Sequence, residues 1–299
     1  MDEPGVRPRR FANRRFRAIP VRTLVPNVIT LLALCAGLTA IRVAVEGKLE
    51  LALAAIVFAA LLDGIDGRVA RMLKGTSRFG AELDSLADFV NFGVAPALIL
   101  YFWGLHDLGH AGWIAGLVLA ICAGLRLARF NVMIEDPDRP AWAGNYFVGV
   151  PAPAGAITAL LPIYLYFLGL PQTIFLTWFT FVYTLAIAFL MVSRLPVFSG
   201  KQWGKRVAPE MVLPIFVFVV LFFALLIAYP WPVLTIGTLA YLSLLPFGWL
   251  SYRERQRMEA KKPEASDAQA QGEAEPATAS PAPVGPSDEA EGDRPHRLN

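Results

Sequence analysis

The chemistry this sequence can do rests on four aspartates, Asp63, Asp66, Asp84 and Asp88, within the stretch DGIDGRVARMLKGTSRFGAELDSLAD at 63–88. The first two lie three positions apart and the last two lie four apart. On helices, either spacing puts both side chains on one face. Two such helices side by side bring four carboxylates to one point. Both pairs adjoin apolar runs long enough to cross a membrane, where a charged side chain costs about 2.5–3.5 kcal/mol on insertion scales. Something must offset that cost. Clustered carboxylates suit hard divalent cations such as Mg²⁺ or Mn²⁺. Four negative charges balance two such ions, as a two-metal phosphoryl-transfer site requires. The competing reading is four aspartates in helix caps and a solvated loop. It leaves the neighbouring small residues and the flanking apolar helices unexplained.

Those small residues follow the same geometry. Gly67 succeeds Asp66, Ala70 is four residues beyond Asp66, and Gly80, Asp84 and Asp88 form one stripe of period four. Small side chains there let helices and a bulky phosphate approach closely. Arg71 adds a planar phosphate-binding fork. The pattern Asp63-x2-Asp66-Gly67-x2-Ala70-Arg71-x8-Gly80-x3-Asp84-x3-Asp88 fixes eight residues at set offsets. It resembles, without departure, the signature of the CDP-alcohol phosphotransferase family.

The elements that must position these residues are membrane helices. Hydrophobic residues make up 56% of the 299, charged ones only 17%, against about 25% in soluble proteins. Eight spans are expected, at 24–45, 49–71, 82–104, 109–130, 152–170, 172–193, 209–229 and 231–251, most near the ~20 residues a crossing needs. The fold class is therefore an all-α polytopic membrane protein, a catalytic core with extra C-terminal helices. Connections after the odd-numbered spans are short. Those after the even-numbered spans carry the cations, among them Arg68, Arg71, Arg129, Arg139, Arg194 and Lys201. By the positive-inside rule, both termini and the even-numbered loops lie on the cytoplasmic side, and the aspartates with them. Residues 1–22 hold seven arginines interleaved with Phe11, Phe16 and Ile19, an interfacial segment for an anionic leaflet rather than a nucleic-acid arm. The domain division is thus 1–22, a transmembrane catalytic domain at 23–252, and a tail at 253–299 too rich in Ala, Pro, Glu and Ser to fold. Cys35 and Cys122 fall in apolar segments and read as buried small hydrophobes.

Further polar residues sit at span ends. Asn27 and Thr30 share a face after Pro26 and serve either as caps or as ligands. Gly93 and Pro96 would kink the third span. Arg126 and Arg129 end the fourth, either snorkelling or binding substrate.

The stretches RFGAELDSLADFVNFGVAPA, GLRLARFNV and YFVGVPAPAGA narrow the resemblance to the bacterial type II phosphatidylserine synthases of that family, over residues 20–205. The last two spans are similar in hydropathy alone. This resemblance implies transfer of a phosphatidyl group from CDP-diacylglycerol to L-serine, giving CMP. It implies that Asp63, Asp66 and Asp84 hold two divalent cations. Asp88 would touch the second ion and act as general base. It places Asn27, Thr30, Gly67, Ala70, Arg71 and Gly80 at CDP, and it implies a homodimer. Serine's carboxylate needs a cation, for which Arg126, Arg129 and Lys201 are candidates. Three alternatives stay open: a sibling enzyme taking glycerol phosphate or inositol phosphate, an ion-coupled transporter, and a catalytically inactive lipid-binding scaffold, against which the intact signature argues.

Overall fold

A computed structural model describes residues 21–135, 146–193, 196–198 and 209–246. The basic N-terminal segment, Lys201 and the 253–299 tail lie outside the described residues. Helices occupy all eight expected positions. In order they are α1 (Val21–Val45), α2 (Leu49–Met72), α3 (Arg78–Phe89) continuing through a π-turn (Val90–Val94) into α4 (Ala95–Trp103), and α5 (His110–Glu135). Then come α6 (Ala152–Ala159), α7 (Leu161–Phe167), α8 (Ile174–Val192), α9 (Pro209–Ala228) and α10 at 230–246. Five stretches are long and apolar enough to cross a membrane: Arg22–Val45, Arg78–Trp103, His110–Met133, Ile174–Val192 and Glu210–Ala228. Helix α2 is equally long, but Asp63, Asp66, Arg68 and Arg71 interrupt its apolar character.

One feature departs from an all-helical reading. Tyr146–Val148 (β1) and Pro196–Phe198 (β2) pair antiparallel, with Phe147 opposite Val197. This ribbon ties the loop after α5 to the loop after α8. Both loops therefore lie on the same side, and Arg129, whose Nη1 donates to the Val192 carbonyl at 2.6 Å, clamps the same two helix ends. At the other end of the bundle, Gln172 donates to the Trp103 carbonyl at 2.8 Å.

The core is apolar and its seams are small. Ala40 and Ala44 on α1, and Ala52, Ile56 and Ala59 on α2, are all buried, so these two helices pack along their length at close range. Large apolar side chains face outward in numbers unusual for a soluble protein, and no residue in the most apolar stretch of α9 is fully buried. Cys35 corrects the expectation of a buried thiol. It is exposed, and both cysteines are free. An apolar side chain gains little by leaving lipid, so a span has no reason to hide it.

Prolines shape the spans. Pro162 cannot donate to Thr158, so the fifth span divides into α6 and α7, and the Tyr183 hydroxyl donates to the freed Thr158 carbonyl at 2.9 Å. Pro26 likewise frees the Arg22 carbonyl, and Gly75 packs so tightly against it that a Cβ there would collide. Before Pro96 the helix widens into the π-turn, where Ala95 N–H reaches the Val90 carbonyl five residues back. The expected kink is thus a one-residue expansion just after Asp88.

Candidate functional site

Helices α2 and α3 form a hairpin whose turn is built locally. Lys74 takes a left-handed conformation, φ 49°, and Gly75 N–H returns to the Ala70 carbonyl at 3.0 Å, ending α2. Ser77 then caps α3, its hydroxyl accepting from Gly80 N–H at 3.0 Å. The hairpin brings the two aspartate pairs together. Asp63, Asp66 and Asp84 each offer a carboxylate oxygen, and the three oxygens lie within 4.8 Å of one another. Asp88 completes the group, its side chain within hydrogen-bonding reach of Asp63.

Helix α1 supports this cluster. Thr30 donates to Asp66 Oδ2 at 2.7 Å, and the same hydroxyl lies 3.1 Å from the Pro26 carbonyl. Both Thr30 and Asp66 are buried. One turn earlier Asn27 packs on α3: a Cβ on Gly80 would sit 2.8 Å from Asn27 Oδ1. Gly80 is thus the gap into which Asn27 fits. On α2, by contrast, a Cβ on Gly67 would meet nothing within 4 Å. That leaves open space on the helix beside Asp66. Ala70 is half-buried and Arg71 exposed on the same segment.

Asp88 is held from behind. The ring of the next residue, Phe89, fills the space between Gly93 and Gly124, where added Cβ atoms would come within 3.3 and 3.1 Å of it. Asn91 in the π-turn is buried against Gly37 of α1. Arg126 on α5 is buried, its guanidinium 5.0 Å above the Phe130 ring and within electrostatic range of Asp88.

Among the described residues, the ion pairs are Arg42 and Lys48 with Glu46, and His106 with Asp107. None involves the four aspartates. Asp66 is buried and the other three are half-buried, and carboxylates at this separation repel one another with no ion pair among the described residues to offset it. The donor set is all oxygen, from rigid helices, with open space alongside. That fits divalent cations of the Mg²⁺ type. Asp63, Asp66 and Asp84 are the residues that would hold them.

The family profile described as CDP-alcohol phosphatidyltransferase matches residues 23–186. The chain belongs to this family. Its members use divalent metals, in keeping with the carboxylate cluster, and the long apolar helices are those of a multi-pass membrane enzyme. A second profile, CDP-alcohol phosphatidyltransferase 2, matches residues 210–246, so α9 and α10 carry family sequence that hydropathy alone does not reveal. Relatives named CDP-diacylglycerol–serine O-phosphatidyltransferase include one from Mycobacterium leprae, 41% identical over 85% of this chain and 82% of its own length. Another, from Helicobacter pylori strain 26695, is 33% identical over 76% of this chain and 91% of its own. An archaetidylserine synthase from Methanothermobacter thermautotrophicus is 34% identical over 45% of this chain and 55% of its own.

The structure brings Asp63, Asp66, Asp84, Asp88, Thr30 and Arg126 into one region. It separates Arg126 from Arg129: the first faces Asp88, while the second is bonded to Val192. Sequence reasoning does not find Tyr241 of α10, whose hydroxyl is within electrostatic range of Arg126. Its signal is a polar stripe at three-residue spacing, Thr235, Thr238 and Tyr241, in an otherwise apolar helix.

Proposed function

We propose that this protein transfers the phosphatidyl group of CDP-diacylglycerol to the hydroxyl of L-serine, yielding phosphatidylserine and CMP. One arrangement carries the reading. A three-carboxylate cluster has Asp88 beside it, and within electrostatic range of Asp88 lies a buried arginine whose Nε has no hydrogen-bond partner. The first part suits a diphosphate, and the second suits an acceptor bearing a carboxylate. The names of the relatives agree: serine recurs in all three while the lipid changes in the archaeal one.

In this reading Asp63, Asp66 and Asp84 would hold two divalent ions, Mg²⁺ or Mn²⁺, with Asp88 a further candidate ligand. Bound there, the ions supply charge neutralisation for the diphosphate. Asn27, Gly67, Ala70, Arg71 and Gly80 shape the CDP pocket, and Thr30 orients Asp66. Serine's hydroxyl oxygen forms the new bond to the phosphorus that bears the diacylglycerol. The bond from that phosphorus to the CMP oxygen breaks, and CMP leaves with the electron pair. Asp88 takes the hydroxyl proton. Arg126 pairs with the serine carboxylate, and Arg129 positions the end of α5. Lys201, outside the described residues, is a further candidate cation for the serine carboxylate. Glycerol phosphate or inositol phosphate would want several cations at the acceptor position. Arg126 is the arginine that faces Asp88 among the described residues. The active site and both termini face the cytoplasm of a bacterial inner membrane, where nucleotide and serine are dissolved, and the enzyme acts as a homodimer. Thin-layer separation of the lipid formed from CDP-diacylglycerol and labelled serine by the purified protein tests this. Phosphatidylserine is the expected product, and labelled serine left entirely in the aqueous phase would overturn the proposal.

A further inference from the structure

Helices α5 and α10 carry buried polar groups that lie within electrostatic range of one another and have no hydrogen-bond partners. Arg126 is 6% exposed, and its Nε is shielded from solvent without a hydrogen-bond partner. The Tyr241 hydroxyl on α10 is within electrostatic range of that guanidinium, and it too is shielded and unpartnered. One turn earlier on the same helix face, Thr238 is buried and its hydroxyl is also unpartnered. Helix α10 is firmly seated: Trp231 stacks on Phe167 with ring centroids 4.4 Å apart, and Tyr241 and Leu242 pack against the core.

Folded proteins rarely leave several buried polar groups together without partners, because each has lost water and gained nothing. A purely structural contact between Arg126 and Tyr241 would satisfy the two groups with each other. Here neither is satisfied. Both Arg126 Nε–H and Tyr241 O–H are donors, so the partner that completes them is an acceptor with at least two free oxygens. A carboxylate has that form. A neutral phenol also supplies a hydrogen bond without adding charge beside Asp88.

We infer that Tyr241 is an acceptor-binding residue: its hydroxyl donates to the carboxylate of the amino-acid substrate that Arg126 pairs with, so α10 supplies part of the acceptor selectivity. The inference rests on the reading of the chain as a serine phosphatidyltransferase. It gives the C-terminal helices a chemical task beyond anchoring.

The test is Tyr241→Phe in the full-length enzyme in detergent, with CMP release followed as serine and CDP-diacylglycerol are varied in turn. The expected result is a serine KM raised tenfold or more and a CDP-diacylglycerol KM within twofold of wild type. Because the hydroxyl has no partner in the free protein, the melting temperature without substrate should not fall. With Arg126→Lys added, the combined rise in serine KM should be smaller than the product of the single effects, since both groups address one carboxylate. A serine KM within twofold of wild type, an equal rise for both substrates, or a lowered melting temperature would each overturn the inference. Wild-type protein run in parallel keeps the two claims apart. No CMP release from it with serine overturns the proposed function itself, whereas an active wild type with an unmoved variant overturns only the role of Tyr241.

Discussion

Replacing Thr30 by valine removes one hydroxyl and almost no volume, and the structure makes its effect specific. The Thr30 hydroxyl reaches Asp66 Oδ2 at 2.7 Å, with 5% and 4% of the two residues exposed. A buried hydrogen bond to a charged group contributes about 1.5–3 kcal/mol. That corresponds to roughly 10–150-fold in an equilibrium constant. The loss falls on the orientation of Asp66, not on the donor substrate. Groups that orient metal ligands typically change metal affinity or activity by about 10–100-fold. CMP release measured against free Mg²⁺ or Mn²⁺ should therefore show the half-activating concentration raised by about 10–100-fold in Thr30→Val. Activity should recover substantially at saturating metal, and the CDP-diacylglycerol KM measured there should move little. Thr30→Ser keeps the donor and should stay near wild type. An unchanged metal dependence combined with a raised CDP-diacylglycerol KM would refute the reasoning and assign Thr30 to the nucleotide directly.

Four further outcomes are expected. Asp84→Asn should abolish turnover, because it removes one of the three clustered carboxylates; residual activity that chelator leaves intact would contradict this. Arg126→Lys should raise the serine KM by about tenfold, about 1.4 kcal/mol, since lysine lacks the second donor of a bidentate fork. The same change at Arg129 should act on stability more than on serine, because its Nη1 is bonded to Val192; the two variants' kinetics and melting curves decide. Gly37→Ala should cost about 1–3 kcal/mol by overpacking, since its Cβ would fall on the Asn91 side chain. A thermal melt in detergent no lower than wild type would show that the α1 seam yields more easily than its geometry implies.

The aspartate cluster was legible in the sequence because its information is local. Spacings of three and four residues fix a helical face whatever surrounds it, and the turn chemistry between α2 and α3 is also local. Partners fixed by tertiary contact were not legible. Thr30 lies 36 residues from Asp66, and from sequence its hydroxyl is as good a nucleotide ligand as a support for a metal ligand. Gly80 reads as a place for a phosphate or a neighbouring helix, but the group that fills it is Asn27. Arg126 and Arg129 share a helix face by spacing, yet a small rotation sends one to Asp88 and the other to the end of α8. The ribbon between β1 and β2 escapes any local pattern, because its strands are three residues each and separated by two spans. Tyr241 looks like one more aromatic of an apolar helix until the fold brings it within electrostatic range of Arg126.

In the proposed function the carboxylate cluster and Arg126 together move a phosphatidyl group onto serine. The most direct test is CMP release by the purified full-length protein from CDP-diacylglycerol, with divalent cation present, against L-serine, glycerol 3-phosphate and inositol phosphate in turn. The account predicts CMP with serine, matched mole for mole by phosphatidylserine, with the other two acceptors far slower. CMP release driven by either phosphorylated acceptor in preference to serine would contradict it.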